Sequence, residues 1–376
     1  MNAIFITSNA FFQDAKSGGF LISRRNHDFL QNTVNGDCYT VFIGCRKESQ
    51  DFLNEREFIF SVKMNLFQRI IRVVEGHYYT SDLLDKMLVK FIQEKNIEIV
   101  FFDSTYFGIS MRRIKKECNV KIFCFMHNVE RIYLQTINKV RNIRSLIKRR
   151  AGIRSEVLSV KYADVLIAIN ERDACETLKL YGRKPDCIFP VTMEDLFCGE
   201  KNIDDKIASR KCSLLFVGSN FPPNVDGIRW FIENVMPEID ASLTIVGNDL
   251  DKYVNEFQTE RIRVFGRVDC LTEYYEQADA VVMPIFYGSG MKVKTAEALM
   301  YGKIVFATSE ALMGYDEPSD DIFRFDTKED FLRVFAEFKK GRAKYSQRNR
   351  QIWEQHFDSR IYEKKFADMI NFKIRK

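Results

Sequence analysis

The chain has 376 residues, 46% of them hydrophobic, with 57 Lys and Arg against 52 Asp and Glu for a net charge of +5. That length and apolar content suit two domains, each with its own core, and argue against a disordered chain. No apolar run approaches the ~20 residues that span a bilayer, and a pI near 8.6 without a recognition motif argues against nucleic acid as a partner.

Residues 3–7 form an apolar run that predicts a strand, with too little positive charge before it for a signal peptide. Ser17-Gly18-Gly19 then opens a helix through Arg24, Arg25 and Phe29. By itself the glycine pair is a tight turn. Further strands are expected at 39–43, 99–102, 121–125 and 165–168, with a helix over 83–94. Such alternation implies a parallel sheet covered on both faces. Asp103 follows the 99–102 strand directly, at a strand end, which makes it a candidate site residue. The 121–125 strand runs into Met126-His127-Asn128-Val129-Glu130, a polar cluster at a strand end, with Asn128 as a second candidate site residue.

Charge is unevenly divided. Residues 1–192 carry 30 Lys and Arg against 21 Asp and Glu, whereas residues 193–376 carry 27 against 31. Much of the excess lies in Lys139, Arg141, Arg144, Lys148, Arg149, Arg150 and Arg154, interleaved with Val140, Ile143, Leu146 and Ile147. This pattern predicts a basic amphipathic helix. It suits either an anionic membrane surface or an ordinary solvated face with its apolar stripe on the core. The polar stretch 189–211 is the expected linker. The nine cysteines are scattered without a CxxC pair, and the four histidines have no metal-ligand spacing. The cysteines read as free, buried thiols in a reducing cytosol, and the histidine spacing argues against a structural zinc site; neither a metal nor a cofactor is expected.

The second half opens with a strand at 213–217 ending in Gly218, a Pro222-Pro223 turn, and a helix carrying Ile228, Trp230 and Phe231. Strands at 243–246 and 262–265 also end in glycine, at Gly247 and Gly266, the latter followed by Arg267 and Val268. Ligands of doubly wound sheets bind at such carboxyl ends. The most informative stretch follows. Val281, Val282 and Met283 form a strand, Gly288-Ser289-Gly290 a turn, and Met291, Thr295, Ala298 and Leu299 one face of a helix that Gly302 ends before a strand at 304–307. The turn amides and the helix N-terminus can receive phosphate, Lys292 and Lys294 add charge, and Glu297 can accept hydrogen bonds from ribose hydroxyls. From spacing alone, an ordinary strand-turn-helix with a solvated lysine pair fits equally well.

The segment resembles the donor-binding signature of the retaining glycosyltransferases of family four, the glycosyl transferases group 1, with Glu297, Ala298 and Gly302 at matching positions. The resemblance implies an α/β chain of GT-B architecture, with two Rossmann-like doubly wound domains facing a central cleft. Residues 1–192 would bind the acceptor and 193–350 the nucleotide-sugar donor, with a helical tail at 351–376 crossing back to the first domain. It further implies catalytic roles for His127, Lys292 and Glu297, with Asp103 and Asn128 on the acceptor side. Donor contacts would come from Gly18, Gly19, Gly218, Gly288, Ser289, Gly290, Met291 and Lys294, and Arg267 and Val268 would read the base.

The implied partners are a nucleotide diphosphate-sugar and a saccharide or lipid-linked acceptor, at the inner face of a bacterial membrane during surface polysaccharide assembly. The sequence departs from the family in two places. Ser289 stands where the commonest form has a second glutamate, and Ser219 and Asn220 stand where an Arg and a Lys often clamp the pyrophosphate. These departures keep two other classes open, a non-catalytic partner of an assembly enzyme and a nucleotide-sugar epimerase or hydrolase.

Overall fold

The computed structural model describes residues 1–9, 18–43, 55–60, 77–137, 143–197, 211–341 and 343–375. Ser17, Lys139, Val140, Arg141, Cys45, Cys198 and the 198–210 part of the expected linker lie outside them. The chain divides into two compact units, Met1–Pro190 with Tyr362–Lys376, and Val191–Ile361.

The first unit runs β1 (Asn2–Thr7), α1 (Gly18–Thr33), β2 (Cys38–Ile43), β3 (Glu57–Phe60), α2 (Asp82–Glu94), β4 (Ile97–Phe102), α3 (Gly108–Glu117), β5 (Lys121–Met126), α4 (Glu130–Ile137), α5 (Ile143–Tyr162), β6 (Val165–Ala168), α6 (Glu171–Tyr181) and β7 (Cys187–Ile188). Among the described residues its sheet has seven strands, all parallel, in the order β3-β2-β1-β4-β5-β6-β7. The central strands are continuous apolar runs because both faces are covered, and Ala3, Ile4, Phe5 and Ile6 of β1 are wholly inaccessible. Phe5 stacks on Phe101 with ring centroids 5.3 Å apart. The strand order reverses between β1 and β4, so the loops leaving these two strands diverge and open a crevice at their carboxyl ends.

The second unit comprises β8 (Cys212–Ser219), α7 (Pro222–Asn234), β9 (Ala241–Asn248), α8 (Val254–Phe257), β10 (Ile262–Phe265), α9 (Thr272–Gln277), β11 (Ala280–Met283), α10 (Val293–Met300), β12 (Ile304–Ala307), β13 (Ile322–Arg324), α11 (Lys328–Phe338) and α12 (Gln347–His356). Among the described residues its six parallel strands are ordered β10-β9-β8-β11-β12-β13, and the reversal falls between β8 and β11. Gly227 in α7 is needed there, since a Cβ at that position would sit 1.7 Å from the carbonyl oxygen of Pro284. The missing side chain lets α7 lie directly on the chain leaving β11. Residues before β8 are held to this unit by Arg350, which donates to both oxygens of Asp195 and, at 2.7 Å, to the Met300 carbonyl.

The last helix, α13 (Ser359–Arg375), starts in the second unit and continues in the first. Phe366 on it packs against Phe29, Phe101 and Phe189 at centroid distances of 5.7, 5.8 and 5.7 Å. Burying such aromatic surface is the dominant favourable contribution to its docking.

Candidate functional site

In the second unit the residues singled out in the sequence gather at the β8/β11 reversal. Lys292 is the N-cap of α10, and Gly302 in a left-handed conformation (φ 58°) follows the helix's last turn. Thr295, Ala296, Ala298, Leu299 and Met300 bury one face of the helix. The amides of Val293 and Lys294 at its start have no acceptor among the described residues. The Thr295 amide donates to the Lys292 carbonyl at 2.9 Å, and Tyr315 braces the same turn from inside, accepting from the Ala296 amide at 3.2 Å and donating to the Lys292 carbonyl at 2.8 Å.

The two lysines have different surroundings. Lys292 Nζ lies 2.6 Å from Glu310 Oε1, 3.2 Å from the Gly290 carbonyl and 3.4 Å from that of Ser289, so it ties the glycine turn to the loop after β12. Lys294 crosses to the other strand of the reversal. Its amine donates to Asn224 Oδ1 at 2.5 Å and lies 5.3 Å from the centre of the Phe216 ring. Asn224 in turn donates to the Ser219 carbonyl at 3.1 Å, in the loop where the sequence lacks the Arg/Lys pair. The structure therefore brings a cation to Gly218-Ser219 from the opposite strand. Burial, with Lys292 nearby, lowers the Lys294 pKa to about 7 against the partial support of Glu297.

Glu297 sits one turn deeper and accepts from the hydroxyl of Tyr275 at 3.0 Å. Tyr275 is fully buried, stacks on Tyr301 at 4.5 Å, and has its pKa raised well above the usual phenol value by burial and the adjacent carboxylate. It therefore remains a donor that fixes Glu297 in place. Arg267, exposed, and Val268, half-buried, follow β10 at the same carboxyl edge but two strands from β8.

In the first unit Asp103, His127 and the Gly18-Gly19 turn meet at the β1/β4 reversal. Gly18 and Gly19 open α1, and Gly19 faces Asn9, whose side chain donates to Ser23 Oγ at 2.6 Å. Asp103 is wholly inaccessible. It accepts from Thr7 Oγ1 at 3.1 Å and from Asn26 Nδ2 at 2.9 Å, and His127 Nε2 lies 3.3 Å from its Oδ1 without the alignment of a hydrogen bond. Expected on the acceptor side, Asp103 instead directs both oxygens to protein groups behind His127. Arg25, also buried, donates to Asn26 and to the Pro190 carbonyl. Burial lowers its pKa to about 10, with Asp103 pulling it back up.

Asn128 hydrogen-bonds the carboxyl group of Glu130, which also accepts from the hydroxyl of Tyr106. Burial and the neighbouring Glu156 push the Glu130 pKa up to about 8. Glu156 itself receives the amides of Glu130 at 2.6 Å and Arg131 at 3.0 Å. A carboxylate from α5 thus caps α4 and holds the segment carrying His127 and Asn128 in place.

Sequence reasoning missed Glu310, Tyr275, Tyr315, Asn224, Thr7 and Asn26 as parts of these clusters. Their residue types carry no motif, and only the strand order brings them to the two reversals.

A family model described as "Glycosyl transferases group 1" matches residues 211–324, which run from the start of β8 to the end of β13. An "Uncharacterized 44.6 kDa protein in cps region" of Klebsiella pneumoniae is 28% identical over a match covering 28% of this chain and 31% of that protein, so the match spans about a third of the relative's length. Two solved structures align over nearly all of both chains. Sucrose-phosphate synthase from Thermosynechococcus elongatus has a TM-score of 0.76 at 11% identity, covering 99% of this chain and 98% of that one. Anabaena HepE in complex with UDP and glucose has a TM-score of 0.71 at 12% identity, covering 99% of each. The chain has the GT-B fold, and its second unit carries a segment that matches the group 1 glycosyltransferases.

Proposed function

We propose that this chain is a retaining glycosyltransferase that moves a sugar from a nucleotide diphosphate-sugar to a saccharide or lipid-linked acceptor in bacterial surface polysaccharide assembly. The observation that carries the reading is the β8/β11 reversal of the second unit. There Lys294, the turn of Gly288, Ser289, Gly290 and Met291, and the start of α10 converge beside Gly218, with Glu297 fixed one turn below. The match of residues 211–324 supports the same family, a structural neighbour is described with UDP and glucose, and the Klebsiella relative is described as lying in a cps region.

In this reading the bond from the sugar's anomeric carbon to the diphosphate breaks, and the charge growing on the leaving oxygen is met by Lys294 and the turn amides. Fixed donors aimed at a developing anion lower its energy without reorganising. This assigns neutralisation to Lys294 and the backbone donors rather than to a metal ion. The acceptor hydroxyl approaches from the face the diphosphate leaves, its oxygen bonds to the anomeric carbon, and its proton passes to a phosphate oxygen. His127 makes a polar contact with the sugar and is not an obligatory base.

A lipid-linked acceptor is supported by α5. Leu146, Ile147 and Val157 are 48%, 38% and 43% exposed on the face that also shows Arg150, Arg154 and Lys161, while Ala151, Ser155, Glu156 and Ser159 face inward. The apolar residues here point outward rather than into the core. Each basic residue contributes ~1 kcal/mol near an anionic membrane, which supports a working position at the inner face of the cytoplasmic membrane.

Replacing Glu297 with Ala is expected to weaken donor binding and turnover by about 10- to 100-fold, the range for a lost hydrogen bond to a charged group. Glu297→Gln keeps an acceptor for Tyr275 and separates loss of charge from loss of packing. Titration calorimetry with the nucleotide-sugar that binds the wild type checks this, and an unchanged dissociation constant in folded Glu297→Ala protein contradicts the assignment.

A further inference from the structure

We infer that Glu310 is the carboxylate that meets the transferred sugar, accepting hydrogen bonds from its hydroxyls beside the glycine turn while Glu297 serves the ribose. The inference rests on the nucleotide-sugar reading above. Glu310 lies outside every motif, in the loop after β12, yet its backbone neighbours are pinned to the site. The Thr308 amide donates to the Met283 carbonyl at 3.2 Å and its hydroxyl to the Ile285 carbonyl, so the start of the loop is fixed to the end of β11. On the other side, Thr295 Oγ1 of α10 donates to the Ala311 carbonyl at 2.9 Å. The Glu310 side chain is thus aimed by two elements that also shape the turn.

Its surroundings select the kind of ligand group it can receive. A Cβ at Gly288 would lie 3.5 Å from Lys292 Nζ and 3.6 Å from Glu310 Oε1, so the ion pair flanks the turn one residue before Ser289. Lys292 already points at three acceptors, Glu310 and the carbonyls of Ser289 and Gly290, which matches the three N–H donors of an ammonium. A phosphate oxygen brought to this side would meet an ionised carboxylate and be repelled. A hydroxyl meets a strong acceptor, since hydrogen bonds to charged groups exceed neutral ones.

The two lysines therefore divide the turn. The side of Lys294 and Asn224 suits phosphate, and the side of Lys292 and Glu310 suits sugar hydroxyls. The side chains of Glu310 and Lys292 remain 18% and 11% exposed, so the pair is reachable. The carboxylate that the family's commonest form carries at the position of Ser289 is supplied here from a different loop.

The test compares a nucleotide diphosphate with its hexose conjugate, taking whichever of UDP, GDP or ADP binds the wild type. In Glu310→Gln, which keeps an oxygen for Lys292, the ratio of conjugate to diphosphate dissociation constants is expected to rise by about tenfold, the loss of one charge-assisted hydrogen bond. Diphosphate binding itself should change by less than about threefold. An unchanged ratio overturns the inference, whether both ligands weaken together because Glu310 acts only through Lys292 or neither weakens. Glu310→Ala repeats the measurement without the replacement oxygen, and the ligand-free melting temperature shows whether either variant has lost its fold. Failure of the wild type to bind any nucleotide is a separate result and removes the donor site as a whole.

Discussion

Lys294→Met is expected to weaken binding of the nucleotide diphosphate-sugar by about 10- to 100-fold and to abolish its dependence on pH. The amine is held over Phe216 and against Asn224, and burial with Lys292 nearby lowers its pKa to about 7. A bound diphosphate favours the charged amine and raises that pKa. Above about 7 the free site is mostly neutral, so binding takes up a proton and affinity falls as pH rises, by up to about tenfold per unit. Below that pH the amine is already charged and the slope disappears.

The same shift has an opposite signature in the ligand-free protein. The unfolded chain titrates this lysine at the ordinary 10.5, so it binds more protons than the folded state between about 7 and 10.5, and folding stability rises with pH across that window. Lys294→Met removes a buried amine and should raise the melting temperature at neutral pH while it weakens the donor. Calorimetric titrations from pH 6 to 9 check the first statement. A flat wild-type profile, or a slope that survives in Lys294→Met, contradicts it.

Asp103→Ala is expected to lower folding stability by about 3–5 kcal/mol, the cost of removing one partner from a buried charged network. The carboxylate is inaccessible, accepts from Thr7 and Asn26, and is the nearest compensating charge for buried Arg25, which reaches it through Asn26. Asp103→Asn should cost less, because one oxygen can still accept from Thr7. Chemical denaturation of both variants checks the order. A loss under about 1 kcal/mol for Asp103→Ala would show that Arg25 is satisfied by the Pro190 carbonyl and Asn26 alone.

The elements of both sheets were legible because a strand buried on both faces must be an unbroken apolar run. The strands at 281–283 and 304–307 and the stop at Gly302 emerge where the pattern places them, and α10 begins two residues after Met291. β7, with two residues, and β13, with three, are too short for such a signal. The partners within the clusters were not legible. Asp103 and Thr7 are 96 residues apart, Lys294 and Asn224 70, and Glu297 and Tyr275 22, and which strand ends meet is decided by sheet order, not by local pattern.

The basic helix shows a different limit. Its buried face is small and polar, with Ser155 and Ser159 both donating to the Thr105 carbonyl, at 2.9 and 2.8 Å. Hydrophobic periodicity therefore could not tell which side of α5 packs inward. Gly108 sits close beneath it, where a Cβ would lie 2.0 Å from the Ser155 carbonyl oxygen, so small residues rather than large apolar ones bring α3 and α5 together.

The measurement that bears most directly on the proposed activity is a thermal-shift screen of the purified protein against UDP, GDP, ADP and CMP with their common sugar conjugates. A ligand that binds only the folded state stabilises it by mass action, about 2.7 kcal/mol at a hundredfold excess over its dissociation constant. A clear rise in melting temperature is expected with one nucleotide diphosphate and its conjugates. No shift with any nucleotide at millimolar concentration would contradict it and turn attention to a non-catalytic role for the GT-B fold.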